Sequence, residues 1–395
     1  MRENPTMRAP SIWILVVTAL FAACGGGNSH SDGGTSGGTS GGLDGGPTSG
    51  NPLGLWASGV YAYSTAELAS SGSPAPTDQC LDPTNGAASA PAAFDTSGNL
   101  WVQSSADSTM SVVMRSNAQL AAACSTGAPT IRVTISYPGV GMAEIDGMAF
   151  DPAGNLWLSM STVATILGLS KAQLAATGTV QPTYLIQLDD TGDARELWAP
   201  LGLAFDSSGN LWVANNYSVL EYSAASVAAA TGAPSSSAAA VPPIAFLSTA
   251  ASEAVAEQLS TSGPTTPYPT FQYLAFDSSG NLWVSGEGNG SQSPGEYIAE
   301  YSTAQLAAAA TNATPTPAVT ITESADQLAA AGTLFGALAF DGAGNLWLGS
   351  SANLYRYPAA TLSQGGGYDI ALTNLEYLTF HSLAFDPIPS GLPLR

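Results

Sequence analysis

Apolar and polar positions alternate on a short beat along this chain, and one arrangement returns almost unchanged. It reads AFDTSGNLWV at 93–102, AFDPAGNLWL at 149–158, AFDSSGNLWV at 204–213 and 275–284, and AFDGAGNLWL at 339–348. A cut copy, AFDPIPSGL, begins at 384. Apolar runs this short, bounded by Gly, Asp and Asn, predict strands. LAFD is one strand, LWV the next, and D-x-x-G-N the hairpin turn between them. In that turn the Asp accepts backbone N–H bonds and the Gly takes a positive φ. A third strand follows, as in VLEYS at 219–223, YIAEYS at 297–302 and LYRYP at 354–358. Next comes Ser-x-x-Glu/Gln, at Ser64–Glu67, Ser116–Gln119, Ser170–Gln173 and Ser302–Gln305. This is a capping-box pattern that opens a short Ala-rich helix. TIRVTISY at 130–137, TYLIQL at 183–188 and AVTITE at 318–323 then supply a fourth strand rich in β-formers.

The tryptophans of the LW pairs are Trp56, Trp101, Trp157, Trp212, Trp283 and Trp347, spaced 45, 56, 55, 71 and 64 residues apart. A period near 55 with four strands per unit predicts the blades of an all-β propeller. The two ends are complementary. GLWASGVYAYSTAEL near the start lacks an LAFD strand before it, and SLAFDPIP near the end has nothing after it. Joined, they make one blade, so residues 52–395 predict a six-bladed β-propeller with four-stranded blades, short Ala-rich helices between third and fourth strands, and ring closure by the terminal strands. Residues 382–388 are expected to pair beside 55–63, which removes an exposed sheet edge. Each Trp is large enough to fill the wedge between neighbouring blades. Asp95, Asp151, Asp206, Asp277, Asp341 and Asp386 are expected to brace turns. They belong to six separate turns around the ring and do not converge on a metal ion.

Charge narrows the partners. Lys and Arg number 8 against 29 Asp and Glu, a net charge of −21 that repels phosphate backbones and argues against nucleic acid. The first residues carry Arg2 and Arg8, then the apolar run SIWILVVTALFAA, then Cys24. That is the layout of a secretory signal over 1–23, too short to span a bilayer comfortably. The FAAC–GGG boundary resembles a bacterial lipoprotein signal. The resemblance implies cleavage before Cys24 and acylation of that cysteine. Met7 is an alternative start. Residues 24–51 hold the lipidated Cys and a Gly/Ser-rich tether with an r.m.s. reach of roughly 30 Å. The expectation is a protein of the bacterial cell envelope, anchored by lipid at the outer membrane, monomeric, and facing another envelope protein or a saccharide. Cys80 and Cys124 are the remaining thiols. An oxidising compartment suggests a disulfide between them, the competing reading being two separate buried thiols.

The pattern LAFD-x-x-GNLWV resembles the NHL-repeat and gluconolactonase/regucalcin-type six-bladed propellers over about residues 52–395, and is similar to phrases in the virginiamycin B lyase group. The gluconolactonase resemblance implies a divalent cation held at one channel mouth by carboxylate and amide side chains. The slot three residues before each AFD alanine holds Ala90, Asp146, Leu201, Gln272, Gly336 and His381. Few of these are oxygen donors, whereas a hard cation needs several. The lyase resemblance implies paired histidines with an acid, and outside the tether the chain has only His381. No G-x-S-x-G, H-E-x-x-H or phosphate loop is present. The long loops 189–200, with Trp198, and 248–273 belong to the type that forms recognition surfaces. The functional expectation is therefore a binding or interaction module. If its channel mouth binds a ligand, Asp146, Trp198, Gln272 and His381 are the candidates. The alternative is a channel-mouth enzyme of the hydrolase or lyase type.

Overall fold

The computed structural model describes residues 53–58, 61–80, 90–104, 109–122, 128–137, 144–187, 197, 199–216, 218–231, 243, 245–248, 270–287, 296–309, 315–322, 335–350, 353–375 and 380–386. Contacts divide the chain into units 1–46 and 47–395, and every described residue belongs to the second. The signal, Cys24, the tether, Cys124 and Trp198 lie outside the described residues.

Six sheets form the blades of a β-propeller. Blade I has the order Leu383–Phe385, Leu53–Ala57, Tyr61–Ser64, Asp78–Gln79. Blade II runs Ala92–Phe94, Leu100–Ser104, Ser111–Arg115, Ile131–Ile135, and blade III runs Gly147–Phe150, Leu156–Met160, Thr165–Leu169, Tyr184–Gln187. Blade IV is Leu203–Phe205, Leu211–Ala214, Ser218–Tyr222, Ala245–Ser248. Blades V and VI start from Tyr273–Phe276 and Phe335–Phe340 and end at Val319–Thr322 and Ile370–Leu372. The ring closes as the complementary ends predict: Leu55 pairs with Phe385, Trp56 with Ala384 and Ala57 with Leu383. No helix among the described residues is long and apolar enough to cross a membrane.

The repeated phrase works as a clamp. In blades II to VI one oxygen of its Asp accepts the backbone N–H of the turn Asn, as between Asp206 and Asn210 at 2.9 Å. The other takes the Asn amide and the indole Nε1–H of the Trp two residues further on, at 3.1 Å for Trp101 and 3.0 Å for Trp157. The glycine of each of these turns has φ between 72° and 86°, a region in which a Cβ is strained. The Asn oxygen then accepts the N–H that starts the following helix, as from Asn117 to Asn99 at 3.0 Å and from Ala359 to Asn345 at 3.0 Å. Blade I departs from this pattern. Gly54 stands in the Asn position, and Trp56 Nε1 is buried with no hydrogen-bond partner. The bracing expected from Asp386 therefore does not extend to the indole, because the chain is cut where the turn would be.

Seams between blades join a Trp to the AFD phenylalanine of the next blade, as Trp157 does with Phe205 in a tilted pair at 6.3 Å. Trp101 meets Phe150, Trp212 meets Phe276, Trp283 meets Phe340 and Trp347 meets Phe385, with ring centroids 6.1–6.4 Å apart and edge-on geometry. Such pairs are worth about 1 kcal/mol beyond their burial. The capping boxes form as read: Ser116 N–H donates to Gln119 Oε1 at 3.0 Å and Gln119 N–H to Ser116 Oγ at 3.3 Å. The same Gln reaches on to the chain leading into the fourth strand, donating to Ala128 O at 2.9 Å.

One feature departs from the four-strand expectation. Gly178–Val180, the chain after blade III's helix, adds a parallel fifth strand to the outer edge of blade II. Related straps recur elsewhere. Leu185 N–H of blade III donates to Ala230 O of blade IV at 2.7 Å, and Gly72 N–H of blade I to Ala371 O of blade VI at 3.1 Å. In blade V, Leu306 and Ala309 of the helix pack with Leu247 of blade IV. The straps cover outer strand edges that would otherwise invite pairing with other chains.

Candidate functional site

Because the Asn of each clamp binds the start of the following helix, the turns and helices share one face of the ring. Antiparallel alternation puts the chain leading into the innermost strands, and the hairpins joining second to third strands, on the other. That second face carries the channel mouth, and a hydrogen bond crosses every seam around it. Ser382 Oγ donates to Ala90 O at 3.3 Å, Ile145 N–H to Gln103 Oε1 at 3.3 Å, and Ser159 Oγ to Leu201 O. Gly202 N–H donates to Gln272 O at 2.9 Å, Ser285 Oγ to Gly336 O at 3.1 Å, and Ala337 N–H to Phe380 O at 3.0 Å. Each bond ends on or beside the slot three residues before an AFD alanine. The ring is thus tightest where those slots lie. Beneath them Met148, Leu203, Leu274, Leu338 and Leu383 line a cavity of about 40 Å³, with Tyr273 and His381 at its wall. That volume holds a few waters. A pocket for a small organic ligand needs roughly 300 Å³ or more.

Four ionisable side chains, Glu144, Asp146, Tyr273 and His381, lie in the segments at this mouth, and Glu144 acts by charge on the other three. Asp146 is half-buried, and its Oδ2 accepts the Ser161 N–H at 2.6 Å. Burial pushes its carboxyl up to about 6 against the pull of that bond, and the neighbouring Glu144 charge pushes the same way. Burial also raises the Tyr273 hydroxyl, assisted by Asp146 and then Glu144. His381 is half-buried, and its backbone N–H donates to Ser58 Oγ at 3.3 Å. Burial lowers its imidazole, and Glu144 opposes that shift. Glu144 thus acts on all three.

Of the four residues marked in the sequence, Asp146 and His381 fall within this group. Gln272 sits beside Tyr273, its backbone O accepting the Gly202 N–H across the seam at 2.9 Å and its N–H donating to Ser285 O of its own blade at 2.9 Å. Trp198 lies outside the described residues, between the buried Leu197 and Ala199, whose N–H donates to Asn215 Oδ1 at 3.1 Å. Sequence reading missed Glu144 and Tyr273. Tyr273 directly precedes LAFD, and attention to that position in each copy would have found it. Glu144 had no signal beyond its place in the same loop as Asp146.

The group does not fit the divalent ion implied by the gluconolactonase-type resemblance. Among the described residues no cluster of three or more His, Cys, Asp or Glu side chains is arranged to hold a metal. Cys80 is buried and disulfide-bonded.

A raised carboxyl does not by itself mark a site in this ring. Glu221, 7% exposed, faces Trp212 across the sheet, far from the mouth in its strand order. Burial lifts it to about 7, Asp206 adds to the rise and an Asn210 hydrogen bond opposes it. Between its unfolded value of 4.5 and about 7 the native state binds the extra proton, so stability falls as pH rises through that window. Asp146 adds to the same slope. Glu221→Gln should raise stability at pH 8 by about 2 kcal/mol and flatten the dependence between pH 4.5 and 7. Urea unfolding at pH 5 and pH 8 measures it, and an unchanged slope would contradict this account.

No protein-family model matches the chain, and no curated protein matches it. Solved structures do. The extracellular domain of BT4673 from B. thetaiotaomicron is similar at 14% identity over 74% of this chain and 31% of its own length, with a TM-score of 0.41. This chain therefore spans under a third of that structure. Virginiamycin B lyase from Staphylococcus aureus is similar at 10% identity over 72% of this chain and 69% of its own, TM-score 0.40. A protein of unknown function from Bacteroides caccae is similar at 10% identity over 85% and 98%, TM-score 0.48. Nothing about the site is carried over from them.

Proposed function

We propose that this chain is an exported, lipid-anchored binding module that meets its partner on the rim of the channel mouth. The observation that carries this reading is the 40 Å³ cavity under a laced rim. Among the described residues this cavity is too small for an organic ligand, which favours a partner met from outside. The rim offers two carboxylates, a phenol and an imidazole, which together suit hydroxyl-rich or ammonium-bearing groups, while the net charge of −21 disfavours anions. A saccharide or a basic patch of an envelope protein has that chemistry. A thermal-shift panel of oligosaccharides and alkyl amines tests the reading. A ligand at a hundred times its Kd stabilises by about 2.7 kcal/mol. Asp146→Asn and His381→Ala should each abolish most of that shift. A ligand whose shift survives both variants binds elsewhere, and the rim is then excluded.

The anchor rests on the FAAC–GGG boundary, with Cys24 as its acyl acceptor. One acyl chain binds membranes only reversibly, whereas several hold firmly. Cys24→Ser should therefore move the protein from the detergent phase to the aqueous phase. If partitioning is the same for both, Cys24 carries no lipid.

A further inference from the structure

Five of the six innermost strands are tied to the next strand by a clamped turn. Among the described residues the sixth, Leu383–Phe385, has no such turn and is held by three register pairs and by packing. Trp56 Nε1 lies buried without an acceptor beside this strand, where its five counterparts each reach an Asp. An asparagine does not fit at position 54 to repair the clamp: a Cβ there would stand 2.9 Å from Leu68 Cδ1 and 3.0 Å from Tyr63 O. Before the strand, Asn374 stands at φ 54°, in the left-handed region that asparagine tolerates better than other non-glycine residues. Among the described residues, the weakest joint of the ring therefore sits at this one short strand, which lacks the clamp of the other five.

We infer that blade I also accepts the closing strand of a second copy of this chain, giving a strand-exchanged dimer alongside the closed monomer. A second copy is the fitting occupant because its Leu383–Phe385 reproduces each contact of the first. It pairs with Leu55, Trp56 and Ala57, sets Phe385 against Trp347 and places Leu383 in the same apolar cluster. Exchange of an identical element forms dimers at low cost, since the only new structure is the opened connection. The other blades resist it, because their innermost strands cannot leave without breaking a covalent hairpin and its clamp.

Ala57 and Leu383 face each other between the hydrogen-bonded pairs marked by Ser58 N–H to Ser382 O, 2.8 Å, and Asp386 N–H to Gly54 O, 3.2 Å. At such a non-hydrogen-bonded position the side chains are closest, so cysteines placed there can join. Both positions are buried, at 0% and 3% exposure, so thiols on separate molecules meet there only if a strand has changed partner. Full-length Ala57→Cys and Leu383→Cys variants are mixed, held under mild oxidation and run on a non-reducing gel. The expected result is a covalent heterodimer several times more abundant than the dimer from either variant alone, increasing with concentration. Ala57→Cys mixed with Leu203→Cys, in the clamped blade IV, should give none. No heterodimer, or equal yields in both mixtures, overturns the proposal. The double variant Ala57→Cys/Leu383→Cys shows whether the position can cross-link within one chain. If it cannot, light scattering of the unaltered protein after incubation near its unfolding midpoint decides. A persistent dimer supports exchange, and monomer alone excludes it.

Discussion

Deleting residues 382–395 should make the propeller aggregate. The deletion removes Leu383 and Ala384 from two apolar clusters and Phe385 from its edge-on contact with Trp347. Truncating a buried Leu costs about 2–5 kcal/mol, and a Phe about 3–5. Together they approach the whole stability of an ordinary domain, about 5–15 kcal/mol. The deletion also bares the hydrogen-bonding edge of Leu53–Ala57, and an unpaired edge recruits other chains. The measurement is the soluble fraction and the melting temperature of the truncated chain. A soluble monomer melting with the full-length protein would mean that the terminal strand does not close the ring.

The second large effect is expected at a clamp. Asp151→Ala removes the acceptor for Asn155 N–H at 2.8 Å, Asn155 Nδ2 at 2.8 Å and Trp157 Nε1 at 3.0 Å. Trp157 is fully buried, so its N–H cannot turn to water. Each buried donor left without a partner costs about 1–3 kcal/mol, and the loss should total about 3–5 kcal/mol. Asp151→Asn keeps one acceptor and should lose less than half of that. Asp386→Ala provides the contrast within the same protein. Its blade has no indole bond to lose, so the change should fall under about 1 kcal/mol. Denaturant unfolding of the three variants reads these values directly. Equal losses at 151 and 386 would refute the clamp as the source of stability.

Much of this frame was legible because it is local. The Asp, Gly and Asn of each turn lie within five residues, and the Ser-x-x-Gln boxes within four, so their geometry follows from spacing alone. The split blade was legible because the terminal fragments are complementary copies of one phrase. What stayed hidden depends on neighbours far apart in the chain. Gly178–Val180 has no strand pattern of its own and becomes a strand only because the outer edge of blade II offers it a ladder. The orphaned indole of Trp56 follows from the chain being cut at one turn, whereas a motif count treats Trp56 as equivalent to its five counterparts. At the mouth, Asp146 and His381 were reachable by aligning slots. Glu144 and Tyr273 join them through charge and burial, which spacing does not record.

The straps give the ring a direction. Most blades turn two surfaces toward the predecessor: the phenylalanine of the innermost strand, set on the preceding tryptophan, and the helix or the chain after it, laid along the preceding outer edge, as in blades III to V. Toward its successor each offers a socket, the tryptophan and a bare outer strand, with a hydrogen bond at the mouth such as Ser159 Oγ to Leu201 O. The contacts are head-to-tail, and such contacts close only when the turn per unit divides the circle. Grafting a blade from a relative is then a one-sided problem. The donor's phenylalanine and helix must suit the host's upstream tryptophan and edge, while downstream it presents a tryptophan of its own. The mouth segments must fit as well, because a hydrogen bond crosses each seam there, so a binding surface travels with a blade only where those bonds are met.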